Sequence, residues 1–446
     1  MVGGNLDYMS PSTRWPRAIR PLAVGQYRLL TSALLFSLFS AGCWIVAAVW
    51  QVVQLGGTPV DLSLVAVGGS VGLVLAVLFG GVLADRVPQR FILLTVEVVR
   101  GLAFGVAAFL ALTGVIEVWH LAVLSFVIGV ADGFFYPAYS AWLPAILPAD
   151  QLLAANGIEG VLRPTMQNAA GPAAAAALIA IGSPGLAFVV VALVQVGAAA
   201  ALIAMRTTPV RREFEEEKRG LMSATFRDLS GGFRYMVSTR WLLATLLFSI
   251  VLVLVLMGPI EVLLPFAVKD QTGGGAGAFA FALAAFGVGG AVGSIAVASF
   301  RLPRRYLTLM ILAWGVGCLP LAIIGFTDQL WVMVVALFIC GLLFSGAQVV
   351  WGTLLQRRVP PAMLGRVSSL DFFVSLALMP ISMAIAGPVG EWFGIAPTFL
   401  VAGTVPVLLA IVTLVIARLG SDELAHPLRD EPEEAPASEG SEERSV

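Results

Sequence analysis

Three carboxyl groups sit inside long apolar runs of this sequence, at Glu97, Asp132 and Glu261. An ionisable side chain in hydrocarbon costs about 2.5–3.5 kcal/mol on insertion scales, so each needs a reason to be there. A carboxyl in such a place can bind and release a proton, or hold a cation. Asp132 lies far from either end of its apolar run, and equally fits a structural pair with a nearby Arg or a cap on the break before Pro137. Glu97 and Arg100 are three residues apart, and Glu159 and Arg163 four apart, spacings that suit pairs along one helix face. Glu261 follows Gly258-Pro259, where a helix would loosen; it either meets a cationic solute or faces outer water.

Other chemistries find little material. His120 and His426 are the two histidines, and Cys43, Cys318 and Cys340 lie in apolar stretches without metal-ligand spacing. No triad, metal cluster or GxxxxGK[ST] phosphate cradle occurs, so no enzyme, cofactor or metal is expected. A net charge of −1 gives no support to nucleic-acid binding.

The elements that must carry these carboxyls are membrane helices. The chain has 446 residues, 59% hydrophobic and 12% charged; a soluble domain would have about 25% charged residues. Apolar runs of about twenty residues recur, each long enough for a hydrocarbon core of about 30 Å. Lipid leaves backbone polar groups unsatisfied except in helices and closed barrels, and runs such as 62–84 do not alternate as barrel strands do. Twelve spans are predicted: 28–54, 60–83, 91–113, 118–145, 157–182, 185–205, 241–267, 276–300, 306–326, 330–355, 368–389 and 395–418. The polar stretch 206–240 divides them into six-helix bundles at 28–205 and 241–418, with 1–27 before and an acidic, disordered tail over 419–446. No cleavable leader is expected, because the first long apolar run stays in the membrane as the first span.

Basic residues sort to one side of this map. Arg14, Arg17, Arg20, Arg28, Arg86 and Arg90, eight residues from Arg206 to Arg240, then Arg301, Arg304, Arg305, Arg357, Arg358 and Arg366 fall in alternate loops, whereas the other loops hold Lys269. The excess of Lys and Arg inside the cell puts both termini in the cytoplasm. Gly68/Gly72 in the second span and Gly289/Gly293 in the eighth share GxxxG spacing, as a parallel internal repeat would give.

The turn GGVLADRVPQR, Gly80 to Arg90, resembles the signature between the second and third helices of the major facilitator superfamily. Gly81, Leu83, Ala84, Asp85, Arg86 and Arg90 match; Pro88 and Gln89 depart from it. DGFFYPAYSAWLPAILPADQLLAANG (Asp132–Gly157), SGGFRYMVSTRWL (Ser230–Leu242) and LLQRRVPPAMLGRVSS (Leu354–Ser369) are similar to the drug and siderophore exporter branch related to the enterobactin exporter.

The resemblance implies an all-α fold of twelve transmembrane helices in two bundles, with helices 1, 4, 7 and 10 around a central cavity. It implies a monomeric exporter of amphipathic small molecules in a bacterial inner membrane, working by alternating access in exchange for protons or another cation. It also implies that Gly81, Asp85, Arg86 and Arg90 latch the halves together, with the start of helix 11 near Arg366, Ser368 and Asp371 as counterpart. Phe39, Trp44, Phe134, Phe135, Tyr136 and Trp351, with Gln51, Gln167, Asn168 and Gln348, are candidates for the cavity wall; helix packing or contact with lipid is the rival reading for each. Siderophore export, lysophospholipid or nutrient transport, and a non-transporting receptor on the same fold are the alternatives. Two features depart from relatives: Ser40-Ala41-Gly42-Cys43-Trp44 lacks an acid, and the antiporter pattern keeps Gly171-Pro172 but has Gln167 and Ala175-Ala176 where glycines are expected.

Overall fold

A computed structural model describes residues 17–206, 233–299 and 302–427. The first half contains α1 (Gly25–Gln54), α2 (Pro59–Arg86), α3 (Gln89–Leu112) and α4 (Val118–Ile146). α5 is one rod of three segments, Ala149–Thr165, a π turn Met166–Ala170, and Gly171–Ile181; α6 is Pro184–Ala204. In the second half α7 runs through Arg240–Gly258, a π turn Pro259–Leu263 and Leu264–Thr272. α8 is Ala276–Ser299, and α9 joins Tyr306–Gly317 to a 3-10 segment Leu319–Phe326. α10 is Leu330–Arg358, α11 is Pro361–Ala377 continued by Met379–Phe393, α12 is Ile395–Ile416, and a short α13 covers Leu419–Ala425.

Eleven of these rods are individually long and apolar enough to cross a bilayer. The twelfth, α5, carries Pro164, Gln167, Asn168 and Pro172 through its middle and is less apolar. The chain is a multi-pass membrane protein of twelve helices in two six-helix bundles. α5 begins earlier than the predicted 157, because the stretch between Pro148 and Gly157 coils rather than loops.

Proline explains the broken rods. Pro164 and Pro172 flank the π turn of α5, Pro259 opens that of α7, and Pro380 follows the break in α11. Proline has no N–H for the i−4 carbonyl, so the ladder shifts register there. Within a membrane such breaks survive where neighbouring helices cover them.

The halves are built on the same close pair. α2 packs most extensively on α4, and α8 on α10, the corresponding pair six helices later. A Cβ on Gly68 or Gly72 would run into the backbone of Ala122 or Phe126 on α4. One on Gly289 or Gly293 would run into Phe338 or Leu342 on α10. The two GxxxG motifs therefore let backbones touch, which gains dispersion contact where lipid supplies little hydrophobic drive.

Between the halves, contact gathers at the end away from the basic loops. Gly387 N donates to Ser63 Oγ at 2.8 Å and Val60 N to Glu391 Oε1 at 3.3 Å, joining the start of α2 to the end of α11. Trp50 at the end of α1 stacks on Phe279 at the start of α8, with centroids 6.4 Å apart. At mid-depth, Gly287 of α8 meets the Asn168 side chain on the π turn of α5. Both hydrogen bonds lie at the non-basic end.

The expectation of a disordered tail over 419–446 is corrected for its first residues. α13 folds back on the basic end, with Leu419 and Glu423 fully buried. Glu423 accepts from Thr308 N at 3.0 Å and Thr308 Oγ1 at 2.6 Å, capping α9. Composition alone hid this, because the acidic residue that looks solvated caps a helix start.

Candidate functional site

Asp132 lies at the middle of α4, and its side chain is 41% exposed although α4 is packed on both sides. Its Oδ1 is 3.5 Å from Nε of Arg100 on α3. Arg100 is 3% exposed, and donates to Ser37 Oγ at 2.6 Å and Ser37 O at 3.3 Å on α1. Glu97, 1% exposed, accepts from the side-chain amide of Gln195 on α6. Four helices thus contribute to one buried polar cluster. Arg100 turns to Ser37 and Asp132, so the expected partnership along α3 with Glu97 is replaced by one across helices.

Further polar side chains lie between the cluster and the basic end. Tyr136 stands four residues after Asp132, on the same face of α4. The Arg163 guanidinium lies 5.8 Å from the Tyr136 ring centroid, within reach of the ring's negative face. Arg163 in turn donates to Glu159 at 2.7 Å, the i,i+4 pair expected on α5. Tyr136, Tyr139, Ser140, Leu143, Pro144, Leu152, Asn156 and Glu159 enclose a cavity of about 270 Å³ between α4 and α5. A polar file therefore runs from the basic rim to Asp132.

In the second half Glu261 sits on the π turn of α7. It is exposed while Ile260, Val262, Leu263 and Leu264 around it are buried. It makes no ion pair or hydrogen bond with a described residue. Gln348, on α10, is likewise exposed.

The remaining candidates divide. Trp44 is 9% exposed and packs between Phe104 and Phe188, with centroids at 5.4 and 5.3 Å. Trp351 is 4% exposed, packs against Trp241 and Trp314, and donates to Asp371 at 3.0 Å. Both rings are spent on helix packing in this conformation. Phe39, Phe134 and Phe135 are half-buried at the edges of the two apolar cores, and Phe135 stacks on Tyr139. Gln167 lies half-buried on the π turn of α5, where its carbonyl bars any Cβ at Gly42 of α1. Gln51 is buried in α1.

Of the signature turn, Arg90 holds the end of its own half. Its Nε donates to Leu202 O at 3.0 Å and its Nη2 to Ile203 O at 2.6 Å, satisfying the last carbonyls of α6. Asp371 is occupied by Trp351. The side chains of Gly81, Asp85, Arg86 and Arg366 lie outside the described residues.

Sequence reasoning missed Ser37 and Gln195. Gln195 carried a readable signal, being the one strongly polar side chain in α6. Ser37 carried none, since serine is common in membrane helices.

Twelve helices in paired bundles, with carboxyls at mid-depth, define a membrane transporter of the major facilitator type. The chain belongs to the transmembrane secretion effector family, whose pattern matches residues 17–438. It is similar to macrolide efflux protein A of Streptococcus pyogenes, 24% identical over 91% of this chain and 97% of that protein. It is also similar to the enterobactin exporter EntS of Escherichia coli O139:H28 (strain E24377A / ETEC), 24% identical over 82% of this chain and 85% of that one. The crystal structure of the nucleoside transporter NupG shares the fold, with a TM-score of 0.68, 13% identity, and 87% and 98% of the two chains covered.

Proposed function

We propose that this chain exports amphipathic small molecules across a bacterial inner membrane in exchange for protons, by rocking its two halves about a shared cleft. The observation that carries the reading is the half-exposed Asp132 at mid-depth, held 3.5 Å from the buried Arg100 at the head of a polar file. Two carboxyls, Asp132 and Glu97, stand in a cluster that holds one guanidinium, that of Arg100, which is paired with Asp132. That charge count favours one exchangeable proton within the cluster, because an uncompensated buried charge is costly. Entry of that proton opposes exit of the cargo.

The halves are 28–205 and 241–418, connected by 206–240. With the basic face turned to the cytoplasm, as the positive-inside rule requires, both termini are cytoplasmic. Closure at Ser63–Gly387 supports reading this as the conformation open to the cell interior. Asp85, Arg86 and Arg90, with Arg366 and Asp371 opposite, latch the alternative state. Glu261 and Gln348 offer polar contact to cargo in the second half, and Phe39, Phe134, Phe135 and Tyr136 offer apolar contact in the first.

The macrolide efflux relative supports a drug-like cargo, and the enterobactin exporter supports the same direction of transport. The test is dye and antibiotic efflux from cells lacking their own pumps, with and without an uncoupler. Efflux that the uncoupler stops, and that Asp132→Asn abolishes in folded protein, is the expected result. Efflux unaffected by both would overturn the proton-coupled reading. A secretion defect under iron starvation, without drug efflux, would shift the cargo to siderophores.

A further inference from the structure

A second cavity lies away from the transport cleft, on the basic face of the second half. It encloses about 620 Å³ and is lined by the approach to α7, the end of α10 and the region of α13. Arg240, Arg357 and Arg358 converge on it, joined by the hydroxyl-bearing Tyr235, Ser238 and Thr239. Asp422 is the one carboxylate in the lining.

Only part of this positive charge is answered. Arg358 donates to Asp422 at 2.7 Å, and its guanidinium lies 4.6 Å from the Trp241 ring centroid. Its side chain is 9% exposed, so Arg358 forms a fixed floor. Arg240 donates to Ile416 O at 2.7 Å through one nitrogen and is otherwise exposed. Arg357 is exposed and has no ion pair or hydrogen bond with a described residue. Two guanidiniums beyond the Arg358–Asp422 pair thus face a space rimmed by neutral donors. That set matches a phosphate oxygen cluster, which Arg binds in a fork geometry.

The position selects the source of that phosphate. Arg240 opens α7 and Arg358 closes α10, so the cavity sits where both helices leave the apolar layer. Trp241, buried beneath Arg358, backs the cavity from the apolar core. Basic pockets between helix ends at this level suit anionic lipid headgroups.

We propose that this cavity binds the phosphate headgroup of an anionic phospholipid, with Arg240 and Arg357 as its exposed ligands and Arg358 as its floor. The bound lipid would tie the entry of α7 to the end of α10 and the clasp of α13.

The experiment is native mass spectrometry of the full-length detergent-solubilised protein with equal amounts of phosphatidylglycerol and phosphatidylcholine. Wild type should retain phosphatidylglycerol preferentially. Arg357→Gln, which removes an exposed side chain without a partner, should weaken that preference about fivefold, and Arg240→Gln/Arg357→Gln should abolish it. Inorganic phosphate at millimolar concentration should not displace the lipid. Equal retention of both lipids by wild type would overturn the proposal, without requiring any variant to fold. Undiminished preference in the folded Arg357→Gln protein, or displacement by inorganic phosphate, would also overturn it.

Discussion

The Arg100 guanidinium on α3 lies 3.5 Å from the Asp132 carboxylate on α4, and its other nitrogens are fixed by Ser37 on α1. One cation therefore ties together three helices of the first half. Asp132→Asn keeps the shape but removes the counter-charge, and Arg100→Gln strands the carboxylate instead. Breaking a buried pair costs about 3–5 kcal/mol; the partial exposure of Asp132 lowers the expectation to about 1–3 kcal/mol. Arg100→Gln should therefore reduce thermal stability in detergent, and Arg100→Gln/Asp132→Asn should recover part of the loss. Stabilities of the four proteins form a double-mutant cycle, and additive losses would show that the pair does not couple.

Gly387 is a point at which α11 presses on the start of α2. A Cβ there would stand 2.5 Å from Pro59 O, 2.6 Å from Ser63 Oγ and 2.7 Å from Val60 Cα. Two of these are backbone atoms, which cannot swing aside. Gly387→Val should drive α2 and α11 apart and disfavour this conformation. Spin labels at positions 57 and 392 should move several ångströms further apart in Gly387→Val than in wild type, and efflux should fall at least tenfold. An unchanged label distance would mean that the non-basic end is not the gate.

Arg90 belongs to the signature turn yet serves the C-terminus of α6 through two carbonyls. Hydrogen bonds from a charged donor contribute about 1.5–3 kcal/mol. Arg90→Gln should lower stability, and Arg90→Lys should restore part of it through a single donor. Asp85→Asn should instead abolish efflux while leaving the melting temperature near that of wild type. Parallel measurements of stability and efflux distinguish a residue that holds a helix end from one that latches the halves.

Glu261 is exposed on the π turn of α7 without a described counter-ion, in contrast to the paired Asp132. An unpaired carboxylate attracts a cationic cargo without first releasing a partner. Glu261→Gln should raise KM for a permanently cationic dye about tenfold while changing KM for a neutral one less than twofold. Equal effects on both dyes would assign Glu261 to structure.

The sequence made the architecture legible because the bilayer acts as a severe filter. Length, missing charge and the one-sided arginines led to twelve spans, and the paired glycines marked α2 and α8 as helices of close approach without naming α4 and α10 as their partners. The same filter picked out Asp132, Glu97 and Glu261, since a buried carboxyl needs a reason. It did not choose their partners. Arg100 can reach Glu97 along its own helix or Asp132 across to the next, and only the packing of α1, α3 and α4 decides. Trp44 and Trp351 stay ambiguous in the sequence for a related reason: large rings suit a cavity wall and a helix crossing equally well, and crossing geometry is a tertiary property.

The clasp of α13 is the other feature that composition concealed. Glu423 is fully buried and answers both the N–H and the hydroxyl of Thr308 at the start of α9. Glu423→Ala would leave those donors without a partner and remove a negative charge from the positive end of a helix. Loss of a cap costs about 1–2 kcal/mol. The variant should therefore melt earlier than wild type, and Glu423→Gln should recover part of the difference, since an amide oxygen still accepts one bond. Hydrogen exchange should rise in Tyr306–Met310 and in α13 together, because each covers the other. If exchange rises in α13 alone, the cap is not what holds the start of α9.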